Sequence, residues 1–287
     1  MSVRVSVRVR KEKKRRMFAV NLHILRGCNF ACDYCFHSNP ALRSNADRPF
    51  LPPLVADDYD VAIDLLAQEG CTKINVAGGE PFLVPELVSS ILKQSKKHGI
   101  FTSVITNGAF ATIGANLDMF GVSIDSFDRS TNAKIGRGDV AFRTLLELRQ
   151  RAKAHDVKFK INTVVSQKNL FEDFNAHIGL LDVDRWKVFQ VLEVPNENGG
   201  HFGAFGISDA EFEDFLARHA QQDALVAETN AVMQTSYLIL DEHLRFLDGT
   251  TKQPLTESLL VDNSAISTAL KTLDPRALRA RRGDFYL

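Results

Sequence analysis

From Phe18 onward, short apolar runs rich in β-branched and aromatic residues alternate with longer stretches in which apolar residues return every three or four positions. "FAVNLHIL" is followed by "DYDVAIDLLAQEG", "KINVAG" by "PELVSSILKQSKKHG", and "FTSVIT" leads to "MFGVSID". The pattern continues through "AFRTLLELRQRAKAH", "VKFKINTVV", "FEDFNAHIGLL" and "RWKVFQVLE". Compact β-rich runs suit strands and the 3.6-residue period suits helices, so the chain predicts an α/β fold of βα units on a parallel sheet. About six units are present where a closed barrel needs eight. The expected architecture is a partial (βα)6 TIM-like barrel over residues 18–206, with its reactive groups at the carboxyl ends of the strands.

A shift to Gly, Asn and Pro in "PNENGGHFGAFG" (195–206) marks a boundary, and residues 207–287 are expected to form a C-terminal extension. In it, Ser208 and Glu211 have capping-box spacing, and Phe212, Phe215, Leu216 and His219 share a helical face. "TSYLILDEHLRFLDG" reads as a strand with its return, "SAISTALKTL" as a helix, and "ARRGDFYL" as a basic, aromatic tail.

Composition narrows the function classes. With 287 residues, 45% apolar and 24% charged, the chain is ordinary globular material. Thirty-five basic residues balance 35 acidic ones, so no bulk field recruits nucleic acid or a membrane, and any anion site must be built locally. The head, residues 1–17, is read as a flexible basic tail; an Arg-rich transit-like segment or a contact for acidic surfaces are alternatives. It holds no apolar run long enough for a secretory signal or a membrane span. Three of the four cysteines cluster within eight residues, which argues against a disulfide framework and for a reducing, cytoplasmic setting. Cys71 stands apart and reads as a small buried apolar residue.

The other three cysteines, Cys28, Cys32 and Cys35, lie in "GCNFACDYCFH" with C-x3-C-x2-C spacing. Such soft ligands suit zinc or an iron–sulfur cluster. Structural zinc wants four ligands, and His37 is the candidate for the fourth. A four-iron cluster held by three thiolates instead leaves one iron open. Further on, "GGEP" (78–81) follows the run "KINVA"; by itself it is a turn signal.

Together the triplet, with Tyr34 before its third cysteine, and the "GGEP" turn resemble the two motifs of radical S-adenosylmethionine enzymes. The blocks "NLHILRGCNFACDYCFHS", "KINVAGGEPFL", "SIDSFD", "IGRG", "FKINTVV", "DRWKVFQVLE" and "SYLILDE" resemble, in order, those of the viperin-like family within that group. The likeness runs from about Asn21 to the C-terminus and omits the basic head. That head lacks the amphipathic helix of animal members, so a soluble fungal or prokaryotic type is expected, and "RARRGDFYL" departs from their aromatic ending. The resemblance implies a radical SAM barrel whose cofactors are a [4Fe-4S] cluster on Cys28, Cys32 and Cys35 and S-adenosylmethionine on the open iron. It implies conversion of a ribonucleoside triphosphate, CTP foremost and UTP next, to the 3′-deoxy-3′,4′-didehydro analogue, an antiviral chain terminator. The route is abstraction of the ribose 4′ hydrogen by a 5′-deoxyadenosyl radical, loss of the 3′ hydroxyl as water, and uptake of an electron and a proton. A radical enzyme acting on a peptide or in cofactor maturation is the alternative, though auxiliary cysteine clusters are then usual and only Cys71 remains. An external electron donor, a monomer, and no nucleic-acid or membrane partner complete the expectation.

Individual roles follow from the same likeness. Gly78, Gly79 and Glu80 hold the cofactor's amino group; Asn107 and Ser123 face its ribose and carboxylate; Tyr34 and Phe36 shield the cluster and touch adenine. Lys73, Arg137, Lys160, Arg185 and Lys187 match phosphate contacts, as do Lys252 and Arg281 less closely, and Arg137 also suits the cofactor's carboxylate. The C-terminal tail is expected to order over the triphosphate, and His37 becomes a neighbour of the cluster. Asn162 and Tyr237 match residues flanking base and sugar, with Tyr237 the candidate hydrogen or proton donor; a core tyrosine with its hydroxyl at the rim is the alternative. Strand alternation independently places Lys160 with Asn162, and Arg185 with Lys187, on one face. Inward-pointing charges on apolar strands need a reason, and solvated edge strands are the competing one.

Overall fold

Alternation along the strands sets the layers. In β1 (Phe18–His23), Val20 and Leu22 pack into the main core cluster, while Ala19, Asn21 and His23 face a central cavity. The same division holds in β2 (Cys71–Ala77), where Ile74 and Val76 oppose Lys73 and Asn75, and in β5 (Lys158–Val165), where Phe159 and Ile161 oppose Lys160 and Asn162. The computed structural model describes residues 17–35, 37, 54–110, 113–195 and 197–280. The expected head (1–17, apart from Met17), Phe36 and Arg281 with the tail that follows lie outside these.

Between the strands run α1 (Ala56–Glu69) and α2 (Pro85–Lys97), then β3 (Phe101–Thr106) and β4 (Met119–Ser123). Next come α3 (Arg129–Ile135), α4 (Phe142–Ala154), α5 (Asn175–Leu181) and β6 (Arg185–Gln190). The helices are bounded by local chemistry: Asp128 accepts from the Thr131 amide at 2.7 Å to start α3, and Gly70, with φ near 100°, ends α1. Strands β1 to β6 are sequential neighbours, all parallel, as the alternating pattern predicts. One connection differs: among the described residues of 107–118, between β3 and β4, there is no helix.

The C-terminal extension does not stand apart. Its α6 (Asp209–Arg218) leads to β7 (Leu225–Glu228), which pairs parallel with β6. A short α7 (Asn230–Ser236) then carries the chain to β8 (Leu238–Leu240), which pairs parallel with β1 at the other edge. An antiparallel return, β9 (Arg245–Leu247) and β10 (Pro254–Ser258), precedes α8 (Ala265–Leu270) and α9 (Pro275–Ala280). The sheet order is β10-β9-β8-β1-β2-β3-β4-β5-β6-β7. β1 to β6 are the six strands of the expected partial barrel, and the extension adds two short parallel strands, β8 in the segment that reads as a strand with its return and the four-residue β7, which the sequence does not announce. Among the described residues no helix is long and apolar enough to cross a membrane.

Under β6, Trp186 is fully buried; its indole N–H donates to the Thr163 hydroxyl at 2.9 Å and its ring stacks on Phe174 at 5.6 Å. It is the chain's single tryptophan and so reports on the core. The Ser208–Glu211 capping box forms as its spacing predicts, the Ser208 hydroxyl accepting from the Glu211 amide at 3.2 Å. Ser208→Ala is expected to lower unfolding stability by about 1 kcal/mol, read from the urea midpoint of Trp186 fluorescence.

Candidate active site

A cavity of about 350 Å³ opens at the carboxyl ends of the parallel strands and runs down among them. The three clustered cysteines line its mouth, on the loop that leaves β1, and none is in a disulfide. Backbone bonds hold this loop against two neighbours. Gly79 donates to the Leu25 carbonyl at 2.7 Å and Glu80 to that of Gly27 at 2.9 Å; Ala31 and Asp33 donate to Gly136 and Ile135 at 3.1 and 3.0 Å. Both contacts demand glycine. A Cβ on Gly79 would lie 1.9 Å from the Gly27 oxygen, and one on Gly136, whose φ is +79°, would lie 2.4 Å from that of Ala31.

Two of the three sulfurs have N–H groups directed at them. The Phe30 amide and the Asn107 carboxamide approach the Cys28 sulfur at 3.4 and 3.7 Å, and the His37 amide approaches that of Cys35 at 3.4 Å. Burial meanwhile pushes the Cys32 thiol up to about 12, with the nearby Arg137 opposing it. An ionised Cys32 therefore requires a positive centre beside it, which a cluster iron supplies, so the donor set fits such a cluster. The zinc alternative does not fit. His37 Nε2 meets His23 Nδ1 at 3.3 Å, and among the described residues no three Cys, His, Asp or Glu side chains close on a single ion. Cluster thiolates bind separate irons and need no such convergence.

Several residues expected at the cofactor take more specific positions. Gly78 and Gly79 line the cavity, but the fully buried Glu80 carboxylate sits behind the wall. It accepts from the Phe82 amide at 3.0 Å and the Thr106 hydroxyl at 2.7 Å on one oxygen, and from the Asn107 amide at 2.7 Å on the other. Burial raises its proton affinity against these bonds. Glu80 thus braces the end of β3, and Asn107 in turn donates to the Asn29 side chain at 2.7 Å. Ser123 lines the cavity and offers its carbonyl to Arg137.

Arg137 lines the cavity as well, but its charge is committed. Nη1 donates to Asp125 at 2.7 Å, and the same carboxylate oxygen accepts from the Tyr34 hydroxyl. Burial works against the guanidinium's charge, and Asp125 outweighs it, holding the arginine above its ordinary range. Burial, then Asp125, likewise holds the Tyr34 phenol well above its usual value. Asp125's other oxygen accepts from the Val164 amide at 2.7 Å. Sequence reasoning passed over Asp125 for Ser123 two residues earlier; an acid in "SIDSFD" opposite the arginine of "IGRG" was the available signal.

Deeper in, Lys73, Lys160 and Lys187 line the cavity, each the third residue of its strand. Lys73 precedes Ala77 by four residues, which places it about 13 Å below the strand end. Asn162 and Tyr237 join them, as do Asn21 and Asn75, which bond each other at 2.9 Å and were not expected. The Asn75 and Asn162 amide oxygens are buried without a partner. Arg185, the first residue of β6 and the register partner of Lys160, does not line the cavity.

Lys252 arrives from the β9–β10 turn. That turn is held by Asp248, whose Oδ1 accepts from the Thr250 and Thr251 amides at 2.9 and 2.7 Å, and Lys252 itself takes a left-handed φ of 57°. Its ammonium donates to the Gly249 carbonyl at 2.5 Å, and burial lowers its proton affinity to about 8. Burial, helped by Lys252 and Arg26, lowers His23 to about 3, so this lining histidine is neutral at physiological pH.

Residues 22–181 match the radical SAM superfamily. A protein of Oncorhynchus mykiss named S-adenosylmethionine-dependent nucleotide dehydratase RSAD2 is 38% identical over 249 residues, covering 80% of this chain and 69% of the relative. An S-adenosylmethionine-dependent nucleotide dehydratase of Flammeovirga pacifica is 33% identical over 243 residues, covering 80% of this chain and 82% of the relative. In fold, the chain is similar to Streptococcus suis SuiB bound to S-adenosylmethionine, with a TM-score of 0.62 at 16% identity, over 93% of this chain and 68% of that one.

The seam between the cysteine loop and the "GGEP" turn makes a direct prediction. Gly79→Ala is expected to destabilise the fold by about 1–3 kcal/mol through overpacking and to speed exchange of the Glu80 amide, measured by hydrogen exchange; unchanged protection would remove the close contact.

Proposed function

The chain belongs to the radical SAM superfamily and, within it, to the viperin-like S-adenosylmethionine-dependent nucleotide dehydratases, and we propose that it converts CTP or UTP to the 3′-deoxy-3′,4′-didehydro nucleotide. The observation that carries this reading is the vertical division of one cavity: thiols at the mouth, lysines in the strand interiors. When bound on Cys28, Cys32 and Cys35, the [4Fe-4S] cluster with S-adenosylmethionine supplies the 5′-deoxyadenosyl radical that takes the ribose 4′ hydrogen.

This chain's own residues do the holding. A triphosphate lowered toward Lys73 and Lys160, with Lys252 reaching in from the side, leaves its ribose nearer the mouth, where the 4′ hydrogen must be presented. Charge-assisted bonds to these ammoniums fix depth and orientation, and orientation is what a radical abstraction needs most. Asn162 and Asn75 line the same space, and their carboxamides are suited to ribose or base groups. The backbone of Gly78 and Gly79 and the side chain of Ser123 border the cofactor end. The Arg137–Asp125–Tyr34 unit presents a neutral, rigid wall there. Neutral His23 contributes no further positive charge beside Lys252. The cluster's electron would come from an external donor, in a cytoplasmic setting.

Anaerobically reconstituted protein is expected to release 5′-deoxyadenosine on addition of CTP or UTP and to carry deuterium into it from the 4′-deuterated nucleotide. Release that no nucleoside triphosphate stimulates, from a protein that holds its cluster, would falsify the substrate assignment while leaving the superfamily chemistry intact. Lys252 adds a pH dependence. Its charge is present below about pH 8 and lost above it, so nucleotide affinity should weaken as pH rises through that point, by roughly tenfold, the worth of one charge-assisted bond. Lys252→Arg, always charged, should flatten the profile.

A further inference from the structure

The β7 and β8 ends of the parallel array are joined by α7 rather than by strand pairing. Across that seam lies Glu228, the last residue of β7 and fully buried. One carboxylate oxygen accepts from the Lys187 ammonium at 2.5 Å, the other from the Tyr237 hydroxyl at 2.6 Å, and Lys187 Nζ stands 3.2 Å from that hydroxyl. Lys187 and Tyr237 line the cavity, whereas Glu228 lies behind them.

We propose that Glu228 is a positioning residue of the nucleotide site, clamping Lys187 from β6 and Tyr237 from the head of β8 into one preset unit across the open seam. This rests on the nucleotide reading of the cavity. Without the clamp, the two groups belong to elements that no backbone ladder joins. With it, the Tyr237 hydrogen points at Glu228 and the Lys187 ammonium at the phenol oxygen, so the two cavity-lining groups hold one fixed orientation toward the substrate. The Lys187 charge is also offset, so that this lysine adds direction rather than net attraction. Position is thereby gained against raw affinity for the triphosphate.

That exchange gives effects of opposite sign. In cluster-free Glu228→Gln, calorimetry with CTP and UTP should show binding roughly threefold tighter or more, because one negative charge has left a site of intermediate dielectric. In the reconstituted variant, dehydrated nucleotide formed per 5′-deoxyadenosine should fall roughly fivefold at saturating nucleotide, because a misheld ribose leaves the radical uncoupled. Weaker binding, or a product ratio equal to the unaltered enzyme's, overturns the proposal. If Glu228→Gln does not fold, Tyr237→Phe tests the other end of the clamp: the product ratio should fall alike, and no fall overturns it. Where both fold, the double variant should couple no worse than the poorer single one, and additive losses overturn the clamp. Failure of the unaltered protein to bind any nucleoside triphosphate sinks the nucleotide reading itself; normal binding and turnover with an unaffected Glu228→Gln sinks only the role of Glu228.

Discussion

Parallel strands that wrap around a lumen send every second side chain into it, and a lumen that is to receive a polyanion must hold buried cations. Nearly everything about this protein follows from how that burden is met. An unpaired ammonium or guanidinium in low dielectric costs several kcal/mol. The chain answers on the apolar side with a helix layer over Val20, Leu22, Ile74, Val76 and Trp186, and on the lumen side with specific partners for specific charges.

Two of those partners divide the cavity into regions. Asp125 takes Arg137 and Tyr34 near the mouth, and Glu228 takes Lys187 and Tyr237 at the seam. Each acid converts a cation into an oriented, hydrogen-bonded unit. Lys252 is handled differently: a turn built by Asp248 presents it at positive φ, and burial leaves its proton affinity low enough to matter near neutral pH. The cysteine loop is a third solution, in which backbone amides point at sulfur and await a metal's charge.

The extension after residue 206 changes meaning in this light. As sequence it is a helix, a short strand with its return, a second helix and a tail. In the fold, β7 and β8 add to opposite ends of the parallel array, and α7 bridges the gap between them. Tyr237 and Lys252 reach the cavity only because of that placement. β8 lies in the segment "YLIL", which reads as a strand, whereas the four residues of β7 gain their stability from pairing with β6 and carry no periodicity of their own.

By itself the sequence determined the sequential parallel strands β1 to β6, the Ser208 cap, the thiol triplet and the in-or-out phase of Lys160, Asn162 and Lys187. These are local properties: strand period, capping spacing and ligand spacing are all written within a few residues. Tertiary structure alone decided that Glu80 braces the end of β3, that Arg185 is left out of the cavity lining, and that Asp125 and Glu228 neutralise Arg137 and Lys187. The physical reason is that a counter-charge is chosen by distance in space. Glu228 lies 41 residues from its lysine, and the contact exists only after the sheet has curled enough to bring β6, β7 and the head of β8 around one cavity.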